Sequence, residues 1–165
     1  MSLSRLARLV ALSAVLVAPL GAQQADSPKY SFIGTVPNVV GGQGLRTFAT
    51  DPVANRLYAG SNIGLYWVDL SEATPRIKGP LFHKNILKIE IAVNIGRLFY
   101  ATADEIGYVD LRDGGVPVKL VGDMHAWDMA YEPTRRELYV SSRASRLMVF
   151  DARSGERAAD IALPS

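Results

Sequence analysis

The feature that most constrains this chain is a repeat. Leu57-Tyr58-Ala59 leads on to Trp67-Val68-Asp69, Leu98-Phe99-Tyr100 to Tyr108-Val109-Asp110, and Leu138-Tyr139-Val140 to Val149-Phe150-Asp151. The closing aspartates recur at intervals of 41 residues. Self-similarity at a fixed period near 40 residues marks a repeat architecture, and it outranks any local reading of the chain. Within each unit, short runs of β-branched and aromatic residues are broken by Gly, Pro, Asn, Asp or Ser, with almost no helical period. The unit therefore predicts a four-stranded antiparallel blade, and the chain an all-β propeller.

Three such blades are expected, over about residues 45–82, 86–121 and 126–163, preceded by one extra strand at 30–36. The first blade predicts strands at Thr47–Thr50, Arg56–Ala59, Gly64–Leu70 and Arg76–Phe82. The second predicts Lys88–Val93, Arg97–Thr102, Ile106–Leu111 and Val116–Val121, and the third Trp127–Tyr131, Glu137–Ser141, Arg146–Asp151 and Arg157–Leu163. Aromatic and branched residues recur in the second and third strands because blade faces pack on neighbouring blades. Asp51-Pro52 and Glu132-Pro133 mark turns, where proline presets φ. Asp69, Asp110 and Asp151 each end a third strand. There a carboxylate can accept a backbone N–H two residues on and set the following turn, which makes these residues structural.

A family becomes visible in these phrases. Asp51-Pro52-Val53-Ala54-Asn55-Arg56-Leu57-Tyr58-Ala59 and Glu132-Pro133-Thr134-Arg135-Arg136-Glu137-Leu138-Tyr139-Val140 resemble the YVTN-type propeller repeats of secreted bacterial proteins. Asp151-Ala152-Arg153-Ser154-Gly155-Glu156 is similar to a turn of quinoprotein-like and tryptophan-aspartate (WD40-like) repeat propellers. Gly64-Leu65-Tyr66-Trp67-Val68-Asp69-Leu70, followed by Thr74-Pro75, is also similar to LVIVD-type repeats. The resemblance spans about residues 30–165. It implies the blade and not a site, because these motifs encode turns and packing. No quinoprotein cofactor contacts can be matched, and the sequence does not identify a cofactor.

Closed rings usually take about four to eight blades, and three are encoded here. Three arrangements follow: a longer chain that supplies the missing blades, a protomer that completes a ring by self-association, or an open stack. The open stack leaves unpaired edges that invite aggregation. In each, apolar blade faces are expected to need cover.

Residues 1–22 read as a secretory leader. Arg5 and Arg8 give a positive start, Leu9 to Val17 is apolar, Pro19 breaks it, and Leu20-Gly21-Ala22 ends in small residues, which places cleavage before Gln23. The apolar run is shorter than the roughly 20 residues a membrane span needs, so no stable span is expected after cleavage, and the protein is expected to be periplasmic or extracellular. Residues 23–29 form a polar, disordered lead-in. The whole chain has 18 basic and 16 acidic residues. Removal of the leader's two arginines leaves 16 of each, so no electrostatic case for nucleic acid remains. There is no cysteine, hence no disulfide framework and no thiol nucleophile.

The residues that could carry chemistry sit in loops. His83 and His125 both fall between the fourth strand of one blade and the first strand of the next. In a propeller that connection lies on the face where the central channel opens. The pair could ligate a metal or act as acid and base, or could be two loop histidines inherited with the repeat. Asn38 and Asn85 fall near the same face. Trp127 opens an inner strand, where it could stack on a ligand or pack between blades. Asp104, Glu105 and Asp123 add loop carboxylates without a calcium-loop spacing. Gly41-Gly42-Gln43-Gly44 lacks the lysine and the helix of a phosphate loop, and no Gly-x-Ser-x-Gly elbow occurs. Arg135, Arg136, Arg143 and Arg146 form a basic cluster on turns, either a solvated edge or a contact for an anionic partner.

Two functions are compatible with this pattern. One is a secreted binding module for a small molecule or protein, contacted by Asn38, His83, Asn85, His125 and Trp127. The other is a lactonase- or quinoprotein-like enzyme on the same face, with His83 or His125 as base or metal ligand and Asp123 or Asp128 assisting.

Overall fold

A computed structural model describes residues 44–164. The leader, the lead-in, the strand expected at 30–36 and Asn38 lie outside the described residues. Within them are twelve strands: β1 (Leu45–Asp51), β2 (Arg56–Ser61), β3 (Leu65–Asp69), β4 (Ile77–Phe82), β5 (Lys88–Ala92), β6 (Arg97–Ala101), β7 (Glu105–Asp110), β8 (Pro117–Gly122), β9 (Ala126–Glu132), β10 (Glu137–Ser142), β11 (Arg146–Asp151) and β12 (Arg157–Ala162). One 3-10 turn, Val93–Ile95, is the sole helical element among the described residues, and no helix there is long and apolar enough to cross a membrane. All twelve strands expected from the repeat are present, with ends that move by a residue or two.

The strands form three antiparallel sheets, each in simple chain order: β1-β2-β3-β4, β5-β6-β7-β8 and β9-β10-β11-β12. The inner strands approach one another in succession, β1 to β5 and β5 to β9. This is a β-propeller segment of three four-stranded blades, and the described residues close no ring.

The blades are held together by alternation. Side chains along a strand point to opposite faces in turn, so one strand can serve two interfaces. In β6 the even positions Leu98 and Tyr100 pack toward blade 1, in a cluster with Tyr58, Leu65, Phe82, Ile86, Ile89 and Val109. The odd positions Phe99 and Ala101 pack toward blade 3, with Ile106, Met129, Leu138, Val140, Met148 and Phe150. All four β6 residues are fully buried. The middle blade is thus apolar on both sides, as a sheet between two sheets must be.

Polar contacts fix the register of the inner strands. Thr47 Oγ1 in β1 accepts from the Ile89 amide in β5 at 3.2 Å. One blade further on, Glu90 Oε1 in β5 accepts from the Tyr131 amide in β9 at 3.2 Å. Each inner strand thereby satisfies a donor on the next, a group that would otherwise lie unpaired at a sheet edge.

The outermost faces differ from each other. On the far side of blade 3, Tyr139 and Leu147 are half-buried and Ile161 is 47% exposed. Tyr139 and Leu147 correspond to Phe99 and Ile106, which are buried at the interface between blades 2 and 3. On the far side of blade 1, Phe48 is 56% exposed, yet Tyr66 and Val68 are buried without belonging to either interblade cluster.

The repeated acids lie at one end of the sheets. Asp69 Oδ1 accepts from the Ser71 amide at 3.0 Å, and Asp110 Oδ1 from the Arg112 amide at 3.0 Å. Asp151 Oδ1 accepts from the Arg153 and Ser154 amides at 2.8 and 2.7 Å. Asp51 and Glu132 receive two amides each in the turns that follow β1 and β9. Carboxylates so held are tied to turn geometry.

Replacement of Leu138, fully buried between blades 2 and 3, by alanine is expected to cost about 2–5 kcal/mol. Val116→Ala, at a position 71% exposed, should change stability by less than about 0.5 kcal/mol. Urea unfolding midpoints of the two variants check this directly.

Candidate functional site

Strand direction alternates within each blade, so the β2–β3, β6–β7 and β10–β11 turns share an end with the connections that leave β4 and β8. This is the end opposite Asp69, Asp110 and Asp151. Both interblade connections are pinned to it by a backbone bond. The Ile86 amide donates to Ser61 O at 2.8 Å, and the Met124 amide to Asp104 O at 3.4 Å. Ile86 and Met124 are buried; the residues around them are not.

These connections place the histidines. His83 precedes its anchor Ile86 by three residues, whereas His125 directly follows its anchor Met124. The two imidazoles hold different places in the repeat, and both are exposed. Asn85 is also exposed and accepts from Arg46 at 3.0 Å. His125 lines a cleft between blades 2 and 3; its carbonyl accepts from the Arg143 amide at 3.3 Å. Trp127 is 63% exposed, and the Arg143 guanidinium lies 5.2 Å from its ring centroid. Asp128 is committed elsewhere, to Lys88 at 3.0 Å and to the Met129 amide at 3.0 Å. The Lys88 hydrogen bond, the Met129 amide and the Lys88 charge hold the Asp128 carboxyl below its usual range. Among the described residues, no group of three or more His, Asp or Glu converges to hold a metal ion.

The cleft has a volume of about 380 Å³, within the range of small-molecule sites. Val121, Gly122 and the Asp123–His125 connection form one wall. The β10–β11 turn, with Arg143 and Arg146, forms the other, and Met148, Arg157 and Asp160 complete it. Asp160 bridges two arginines, Arg146 Nε at 2.8 Å and Arg157 at 3.3 Å. The basic turn was legible in the sequence, but Arg157, Asp160 and the two methionines were not connected with it.

The matching notch between blades 1 and 2 is filled. Tyr100 is fully buried there, its ring 5.0 Å from Phe82, and its hydroxyl donates to Glu105 at 2.9 Å. Lys84 pairs with the same carboxylate. The Tyr100 phenol fits because position 107 is glycine: a Cβ there would collide with the hydroxyl and lie 2.5 Å from Val118 O. In the next repeat Val140 stands for Tyr100 and Met148 for Gly107, and the space is left open to solvent. Burial pushes the Tyr100 phenol up, and the Glu105 bond and charge add to that. Burial also opposes ionisation of Glu105, but the bonds from Lys84 and Tyr100 and the Lys84 charge together hold its carboxyl below the usual range.

No protein-family model matches the chain, and no curated protein matches it. Solved structures do. The apo form of AztD from Citrobacter koseri superposes with a TM-score of 0.60 at 16% identity, over 74% of this chain and 35% of that one. A second AztD crystal structure gives 0.59 at 15% identity, over 74% and 34%. A chain of the nidogen/laminin complex gives 0.57 at 16%, over 73% of this chain and 50% of that one. The chain thus spans about a third of the length of AztD. At these identities the likeness shows the fold, a β-propeller arrangement, and nothing finer.

A carboxyl depressed in the folded state adds stability above its unfolded value, about 4.3 for Glu, and that stability is lost as pH falls through the lower folded value. The protein should therefore lose stability in acid partly through Glu105. In Glu105→Gln, the difference in urea midpoint between about pH 7 and about pH 3 should shrink. An unchanged difference would show that Glu105 contributes nothing to it.

Proposed function

We propose that the protein is an exported β-propeller binding module whose ligand sits on the face formed by the interblade connections. The cleft beside His125 carries this reading. There an imidazole and the guanidinium groups of Arg143 and Arg146 line a cavity of ligand size, and the exposed Trp127 ring stands beside Arg143. His125 and Trp127 form the centre of the site. His83 and Asn85, one connection away, serve a ligand long enough to reach the next blade. Export rests on the leader at residues 1–22, and the neutral remainder of the chain fits a partner recognised by local contacts instead of by a broad field. A binding role is favoured over catalysis because Asp128, the acid adjacent to Trp127, is held by Lys88 and the Met129 amide and is not poised for proton transfer.

A thermal-shift screen of the full chain against small molecules of all charge classes tests the reading. For a compound that stabilises the protein, Trp127→Ala is expected to raise Kd roughly tenfold, and His125→Ala to raise it measurably. Binding that neither substitution alters would place the ligand elsewhere.

A further inference from the structure

We propose that the cleft between blades 2 and 3 selects a small organic monocarboxylate, its head group on Arg143 and Arg146 and its apolar part on Met124 and Met148. This rests on the reading of that face as the ligand face.

Four observations point there. First, the cavity is specific to one interface, since the equivalent notch is filled by Tyr100 and by the Lys84–Glu105 pair. Second, the donors are available. Arg146 is tied to Asp160 through Nε alone, so its two terminal amino groups make no hydrogen bond among the described residues. Arg143 has no carboxylate within ion-pair distance among the described residues, and its guanidinium is steadied by the Trp127 ring. Third, the local charge is small. Arg143, Arg146 and Arg157 face Asp123 and Asp160, which leaves one positive charge over. One anionic group balances that excess; a polyphosphate overshoots it, and a cation is repelled. Fourth, Val121, Met124 and Met148 give the cleft an apolar side, and methionine adapts to the shape it meets.

A carboxylate meets these conditions better than a spherical anion does. The guanidinium fork accepts its two oxygens in one plane, through two parallel N–H bonds. Trp127 acts here as a positioning residue, because it sets the direction of the Arg143 fork.

The arginines of the opposite face provide a contrast. Arg97 donates to Ala152 O and Arg153 O, and Arg112 to Ile95 O. They fasten turns and bracket Asp110 in a second cleft, each committing one terminal amino group to backbone carbonyls.

Calorimetric titration of the full chain with hexanoate tests the proposal, with hexanamide and inorganic phosphate as comparison probes. Saturable hexanoate binding is expected, weakened at least about tenfold by Arg143→Gln and by Arg146→Gln and unchanged in Arg153→Gln. Hexanamide should not saturate, and phosphate should bind more weakly than hexanoate. Absence of saturable hexanoate binding, equal binding of hexanamide, tighter binding of phosphate, or indifference to both arginine substitutions would each overturn it. Should a neutral or cationic compound bind in a Trp127-dependent way while the arginines do not matter, the carboxylate assignment fails and the binding-module reading survives. Arg143 and Arg146 are both exposed, so their substitution leaves the core intact.

Discussion

Everything in this molecule depends on one strand arrangement, a sheet with apolar side chains on both faces held between two others. A single blade has no interior. Blade 2 acquires one on each side because alternate residues of β6 and β7 enter different cores. The stability of each blade is therefore a property of its neighbours, as in other repeat architectures where nearest-neighbour interfaces dominate. Hydrogen bonds between inner strands add register to this packing. They are few, but each removes an unpaired amide from an interior edge.

Much of this architecture was legible in the sequence because the repeat was legible. Asp69, Asp110 and Asp151 divided the chain into units, and short apolar runs bounded by turn residues located twelve strands. The carboxylates then accept the amides two residues on, the geometry that their position after a strand implies. Periodicity also implied which residues share a face, since alternation in a strand is rigid.

The site was less legible, for a physical reason. Each blade motif is local, whereas the cleft is assembled from the β8–β9 connection, the β10–β11 turn and β12, which lie far apart in the chain. Arg143 and Arg146 stood out as a basic turn, but nothing in a linear reading brings Asp160 or Arg157 to it. The two histidines are about one repeat apart, in connections of unequal length. Anchoring of those connections by Ile86 and Met124 fixes how they differ: one histidine precedes its anchor and the other follows it. Register in a loop is set by which residue is buried, and spacing alone does not reveal that.

Tyr100 and Gly107 have a consequence for how such a molecule can change over generations. The phenol and the missing side chain are reciprocal, bulk on one strand and vacancy on the next. A larger residue at 107 collides while the tyrosine remains, and loss of the tyrosine strips the Lys84–Glu105 pair of its cover while the glycine remains. Neither step is neutral alone, so the first notch is locked by epistasis. The second notch, lined by Met148, has no such reciprocal pair, so a single substitution there can change its shape without a matching change opposite. Of two repeats of one interface, the first is thus closed by a reciprocal pair and the second stands open without one.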